Sequence, residues 1–323
     1  RTAVAAFAEL SLATRPSDQK FRQLVSGLQI YEKDWAEVTC QTREMYIRTM
    51  NVKKYVANAL TMGNLLCGVL VIIGLFIWPF GASVIEPLHE FGALSQEWKG
   101  WGMLALAGIW LTGQILDLFD GIAARWAGSD GAMGTQLDSI ADAVTSGVTP
   151  AVVGVMCLHA WAPAIPVVFK FFPLTMAMAA TYRLARFNVE AAAGEHTNGF
   201  SGMPAPAGAL WWIGILLVGA QYEMYGSWGL YGTGGLVTVA GAIAIGSTLI
   251  PWWMVSRRPM LDLKGWGKNT DFDRKRVLFL TSMVAVGLLA AFFGRALGLG
   301  MLAALLLYAM GGCYIQRHAK QPQ

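Results

Sequence analysis

The sequence predicts an all-α, polytopic membrane protein with about eight transmembrane helices, and three observations predict it. Of its 323 residues, 55% are hydrophobic and only 14% are charged, far from the balance of a soluble domain. Apolar stretches close to the roughly 20 residues that cross a bilayer recur along the chain. Between them, basic residues gather in alternate loops, as they do when one side of the membrane retains positive charge.

Residues 1–52 come first and are of another kind: polar to mixed, broken by Pro16, without an apolar run of span length. They lack the basic start, apolar core and small-residue cleavage site of a signal peptide. Because Met45 and Met50 are the first methionines, the segment is expected to be an amino-terminal cytoplasmic extension, amphipathic or non-native. The spans then follow at 57–78, 100–126, 132–158, 165–190, 204–222, 232–255, 277–294 and 297–315. Gly128, Ser129, Asp130 and Gly131 read as a turn folding the second and third spans antiparallel. Only Arg295 and small residues part the last two spans, so they are expected to form a tight hairpin. The division is thus an extension (1–52), a core (53–260), and a loop with a carboxy-terminal transmembrane hairpin (261–323).

Lys53, Lys54, Arg125, Arg183, Arg186, the basic run from Arg257 to Arg276, Arg317 and Lys320 all fall on one side of this topology. The opposite loops carry little beyond Glu86, Glu90, Glu97, Lys99, Glu223 and Arg295. Both termini are therefore expected in the cytoplasm, the protein lying in the cytoplasmic (inner) membrane among membrane lipids. A net charge of +4 is too small to argue for nucleic acid. Cys40, Cys67, Cys157 and Cys313 have neither paired nor metal-ligand spacing, and the four histidines are scattered. Lys170 is expected to snorkel outward from the fourth span.

The most hydrophobic part of the chain holds four carboxylates, in the run Asp117-x2-Asp120-Gly121-x2-Ala124-Arg125-x8-Gly134-x3-Asp138-x3-Asp142. Carboxylates are costly in a bilayer unless they hold cations. Offsets of three and four place Asp117, Asp120, Gly121 and Ala124 on one helix stripe and Gly134, Asp138 and Asp142 on the next, so the acids can face each other. Such a group suits hard divalent cations, Mg2+ or Mn2+, and the small residues leave room for a ligand such as a nucleotide diphosphate. Close helix packing is the alternative role of the glycines. Active-site and cytoplasmic ends coincide in this topology.

This run resembles the signature of the CDP-alcohol phosphatidyltransferases at every fixed position. Further motifs are similar to those of the phosphatidylserine synthases within that family: Leu137-Asp138-Ser139 with Ala141-Asp142, Arg183-Leu184-Ala185-Arg186-Phe187-Asn188, Gly202-Met203-Pro204-Ala205-Pro206, and Asn58-x2-Thr61-x2-Asn64. The likeness extends over roughly residues 53–260. It implies the fold of that family and transfer of a phosphatidyl group from CDP-diacylglycerol to the hydroxyl of L-serine, with CMP leaving, on about two divalent ions.

In that reading Asp117, Asp120, Asp138 and Asp142 hold the metals, and the position of Asp142 also serves as general base. Asn64, Asp120, Gly121, Ala124, Arg125 and Gly134 line the nucleotide cleft. Arg183 and Arg186 bind the serine carboxylate and the phosphate, one each, although arginine at a cytoplasmic helix end is also ordinary topology marking. The family resemblance also implies a homodimer. The runners-up are a sister enzyme using glycerol 3-phosphate, inositol phosphate or choline and, from another class, a cation transporter. A phosphorylated acceptor calls for more cations than Arg125, Arg183 and Arg186 provide. A transporter built on inverted repeats calls for a second copy of the acidic hairpin, and the sequence has none.

Overall fold

The structure, a computed structural model, describes residues 55–77, 96–127, 132–193, 200–225, 234–261, 270–294 and 296–319. The amino-terminal extension, Lys53, Lys54 and the turn at 128–131 lie outside the described residues, as do Glu195 and His196. Helix α1 is Tyr55–Ile77 and α2 is Gln96–Ala127. Helix α3, Ala132–Asp142, runs through a π-helical turn, Ala143–Val148, into α4, Thr149–Trp161. A single helical turn, α5 (Val167–Lys170), precedes α6, Leu174–Ala192. After the two-residue strand β1 (Phe200–Ser201) come α7 (Ala205–Tyr225), α8 (Gly234–Ser247) and α9 (Leu249–Val255). Strand β2 (Pro259–Met260), α10 (Thr270–Gly294) and α11 (Leu297–Ala319) complete the chain.

The all-α expectation holds, with one two-residue β pairing in which Phe200 faces Met260 and Ser201 faces Pro259. Among the described residues, five helices are long and apolar enough to cross a membrane: Tyr55–Ile77, Lys99–Ala123, Met133–Trp161, Ala205–Met224 and Leu297–Gln316. They mark an integral membrane protein. Of the other three expected spans, the one at 277–294 is helical throughout, within Thr270–Gly294, and two are helical over part of their length. The span expected at 165–190 begins only at Leu174, because Pro166 and Pro173 break the chain before it. The span expected at 232–255 is interrupted at Thr248, so α8 and α9 are separate helices. Lys170 does not snorkel: it is buried, and its Nζ donates to the Pro163 carbonyl at 3.5 Å.

The core centres on α7, which packs against both α2 and α11. Trp110, Trp211 and Trp212 are almost wholly buried there, and the Trp211 indole N–H donates to the Ala242 carbonyl at 2.9 Å. Inside a membrane, helices gain little from leaving lipid for protein, and close van der Waals contact has to hold them together. Glycines permit that contact. A Cβ on Gly154 would stand 2.5 Å from Pro173 and 2.6 Å from the Trp212 ring, and one on Gly298 would stand 2.6 Å from Val218. The last two helices form the expected hairpin, Gly300 lying against Ala290.

The π turn has a local cause. Pro150 carries no N–H for the carbonyl four residues earlier, and its ring crowds that carbonyl, so the helix widens just before it. The Thr149 N–H instead reaches back five residues to the Val144 carbonyl.

Candidate active site

Helices α2 and α3 bring the two halves of the acidic run together. Asp117, Asp120 and Asp138 each offer a carboxylate oxygen, and these three atoms lie within 4.8 Å of one another. Asp142, one turn beyond Asp138, is buried and interacts electrostatically with Asp117. The inward-facing stripes expected from the three- and four-residue spacing therefore meet.

The third wall is α1. Asn58, Thr61 and Asn64 recur every third residue on this otherwise apolar helix, which puts a polar stripe on its inner face. Thr61 Oγ1 donates to Asp120 Oδ2 at 2.6 Å, and Asn64 Nδ2 donates to Asp117 Oδ1 at 3.2 Å. Asn64 is fully buried. Asn58 lies opposite Gly134, where an added Cβ would stand an unstrained 3.6 Å from Asn58 Oδ1. Gly121 follows directly on Asp120 and is half-buried. The side chains of Ala124 and Arg125 lie outside the described residues.

Thr61 has a place in the site that the sequence reading quoted but gave no role. Its signal was available: a threonine hydroxyl in register with two asparagines, in a span with few other polar groups.

The two arginines of α6 divide. Arg183 is buried and interacts electrostatically with Asp142, bringing a positive charge to the edge of the acidic group. Arg186, three residues on, turns toward the end of α9: Nη1 donates to the Val255 carbonyl at 2.7 Å and Nη2 to the Ser201 carbonyl at 3.5 Å. Its Nε lies 3.8 Å from Glu190. Arginine at these last carbonyls satisfies acceptors that a helix end leaves open, and its charge complements the helix dipole. Asn188, on the same helix, donates to Ser139 Oγ at 2.7 Å and ties α6 to α3 beside Asp138.

The donor set fits a divalent cation. Three hard oxygen donors converge, their hydrogen-bond partners Thr61 and Asn64 are neutral, and the buried Asp142 Oδ1 has no hydrogen-bond partner among the described residues. Carboxylate oxygens without imidazole or thiolate favour Mg2+ or Mn2+ over softer ions. The Asp117, Asp120 and Asp138 cluster is able to hold a metal ion.

Known proteins are similar to this chain in sequence. A protein of Mycobacterium leprae named CDP-diacylglycerol--serine O-phosphatidyltransferase is 40% identical over 112 residues, 33% of this chain and 36% of its own length. The protein of that name from Mycobacterium tuberculosis is 42% identical over 113 residues, 33% of this chain and 38% of its own. The Bacillus subtilis protein of that name is 30% identical over 153 residues, 47% of this chain and 70% of its own. The matched stretch thus spans little more than a third of the mycobacterial relatives. The pattern of the CDP-alcohol phosphatidyltransferase family matches residues 54–240, taking in α1, the acidic hairpin and both arginines of α6. With the signature complete and its carboxylates converged, the chain belongs to the CDP-alcohol phosphatidyltransferase family.

Proposed function

We propose that this protein is a phosphatidylserine synthase, transferring the phosphatidyl group of CDP-diacylglycerol to the hydroxyl of L-serine and releasing CMP. The observation that carries the reading is the convergence of Asp117, Asp120 and Asp138 within 4.8 Å on two helices long enough to cross a membrane. The printed names of the relatives support the donor and the acceptor.

In the transfer, the serine Oγ forms a bond to the phosphorus that carries the diacylglycerol. The bond from that phosphorus to the oxygen of the CMP phosphate breaks, and CMP departs with the electron pair. Asp142 takes the serine hydroxyl proton, since such a hydroxyl is poorly nucleophilic until a carboxylate accepts it. Asp117, Asp120, Asp138 and Asp142 would hold two Mg2+ or Mn2+ ions, which when bound supply neutralisation of the diphosphate charge and stabilisation of the leaving phosphate. Thr61 and Asn64 fix the rotamers of Asp120 and Asp117, and Asn64, Asp120, Gly121, Ala124, Arg125 and Gly134 form the nucleotide cleft. Arg183 binds the serine carboxylate, held near Asp142 where the hydroxyl has to be deprotonated. Arg186 holds the chain's return at β1 and α9.

The catalytic unit is residues 53–260, a division that the pairing of β2 with β1 supports. The hairpin of α10 and α11 docks on α7. With α6, α8–α9 and α10 also in the membrane, the protein has about eight spans. The site faces the cytoplasm, following the basic loops, in the inner membrane, and the protein acts as a homodimer.

The test is CMP release by the purified protein from CDP-diacylglycerol with Mg2+ or Mn2+ and, in turn, serine, glycerol 3-phosphate, inositol phosphate and choline. Release with serine alone is the expected result. Release with another acceptor would assign a sister activity, and none with any acceptor would overturn the reading.

A further inference from the structure

The carboxylates stand on two helices that have to keep their axial register for the acids to meet, and the π turn Ala143–Val148 directly follows Asp142. Widening a helix leaves carbonyls without their usual donors, and buried carbonyls are paired wherever a donor is at hand. Thr145 Oγ1 donates to the Ala141 carbonyl at 2.9 Å, and Thr149 Oγ1 donates to the Val144 carbonyl at 2.9 Å. The Thr145 carbonyl is taken by a different helix: Trp110 Nε1, on α2, donates to it at 3.0 Å.

Trp110 is fully buried and lies seven residues, two helical turns, before Asp117. Gln114, one turn nearer Asp117, accepts at Oε1 from Ser146 Oγ, the residue after Thr145, at 3.4 Å, both residues being buried. The contacts of Trp110 with Thr145 and of Gln114 with Ser146 tie α2 to the π turn that directly follows Asp142.

We propose that Trp110 is a positioning residue for the transfer: by holding the carbonyl released at the π turn, its indole N–H fixes α2 against α3 and keeps Asp142 beside Asp117. This rests on the reading above, in which Asp142 receives the serine proton. Trp110 has no surface for substrate, so its influence runs through the helix register.

Trp110→Phe keeps an aromatic filler and removes the donor. Two measurements are made on the full chain in detergent. The first is steady-state CMP release, in which kcat is expected to fall about 100-fold, the scale of a displacement near 1 Å, while KM for CDP-diacylglycerol stays within about twofold. The second needs no activity. Spin labels on cysteines at Leu118 and Ile140, both exposed on outer helix faces, with the native cysteines replaced, report the distance between α2 and α3. Trp110→Phe is expected to shift or broaden that distribution. A variant with wild-type kcat, or one with reduced kcat and an unchanged distribution, overturns the inference. Should Trp110→Phe not fold, Ser146→Ala removes the neighbouring contact with Gln114 at little steric cost: a fall in kcat at constant KM supports the inference, and wild-type kcat overturns it. An inactive wild-type protein whose label distribution still responds to Trp110→Phe would instead sink the assigned reaction and leave the register role standing.

Discussion

Thr61 on α1 donates its hydroxyl proton to Asp120 on α2 at 2.6 Å, and the same oxygen lies 3.2 Å from the Ala57 carbonyl of its own helix. A hydroxyl has one proton. At these distances the carboxylate receives it, and Thr61 spans the seam between the first helix and the acidic hairpin.

Replacing Thr61 by Val keeps the shape and removes the donor. A hydrogen bond to a charged group is worth about 1.5–3 kcal/mol, so kcat/KM is expected to fall by roughly 10- to 100-fold. The divalent-ion concentration giving half-maximal CMP release should rise, while Thr61→Ser should restore most of both. Equal activity of Thr61→Val and wild type would show that Asp120 is oriented without it.

The acidic group was legible because its spacing is its geometry: offsets of three and four residues on two helices parted by only a few residues leave few other arrangements. The first, second, third, fifth and eighth spans were legible for a similar reason, being long and uniformly apolar. What could not be read were features set by contacts between distant segments. Arg183 and Arg186, about 300° apart around one helix, share a broad face, yet Arg183 turns to Asp142 while Arg186 meets carbonyls of Val255 and Ser201, 69 and 15 residues away. Lys170 looked destined for solvent until Pro163 brought a carbonyl beneath it. The π turn had a signal, Pro150 inside an apolar run, but a proline alone does not say whether a helix kinks, ends or widens.

Asp142→Asn preserves size and removes the carboxylate proposed to accept the serine proton. Turnover is expected to drop by about 100- to 10,000-fold, the usual range for losing a general base. Binding of CDP-diacylglycerol, measured by equilibrium binding in detergent with Mg2+ present, should change much less. Comparable losses of binding and turnover would make Asp142 a binding residue.

Different outcomes are expected for the two arginines. Arg183→Ala should raise KM for serine at least tenfold with little change in KM for CDP-diacylglycerol, because one charge-assisted contact to a carboxylate is worth about 1.5–3 kcal/mol. Arg186→Ala should instead lower the thermal midpoint, leaving the Val255 and Ser201 carbonyls without their guanidinium donor. Its substrate dependence should stay near wild type in the protein that remains folded. A serine-specific defect in Arg186→Ala would reverse the division of labour.

Glycine substitutions separate chain geometry from ligand space. Gly202 has φ +77, in the left-handed region, and a Cβ there would stand 2.6 Å from the Met254 carbonyl oxygen and 2.7 Å from that of Ser256. Its N–H donates to the Arg258 carbonyl at 2.9 Å, so the chain cannot simply swing away. Gly202→Ala combines backbone strain of about 1–3 kcal/mol with overlap against backbone oxygens, and should lower the thermal midpoint by several degrees. Among the described residues Gly134→Ala meets only Asn58 Oδ1, at 3.6 Å, an ordinary contact. Its thermal midpoint should match wild type while the affinity for CDP-diacylglycerol falls, since the new methyl occupies the cleft and not the protein's own packing. Thermal unfolding in detergent beside CDP-diacylglycerol binding decides both, and a Gly134→Ala protein that is stable and binds the nucleotide lipid normally would remove Gly134 from the cleft.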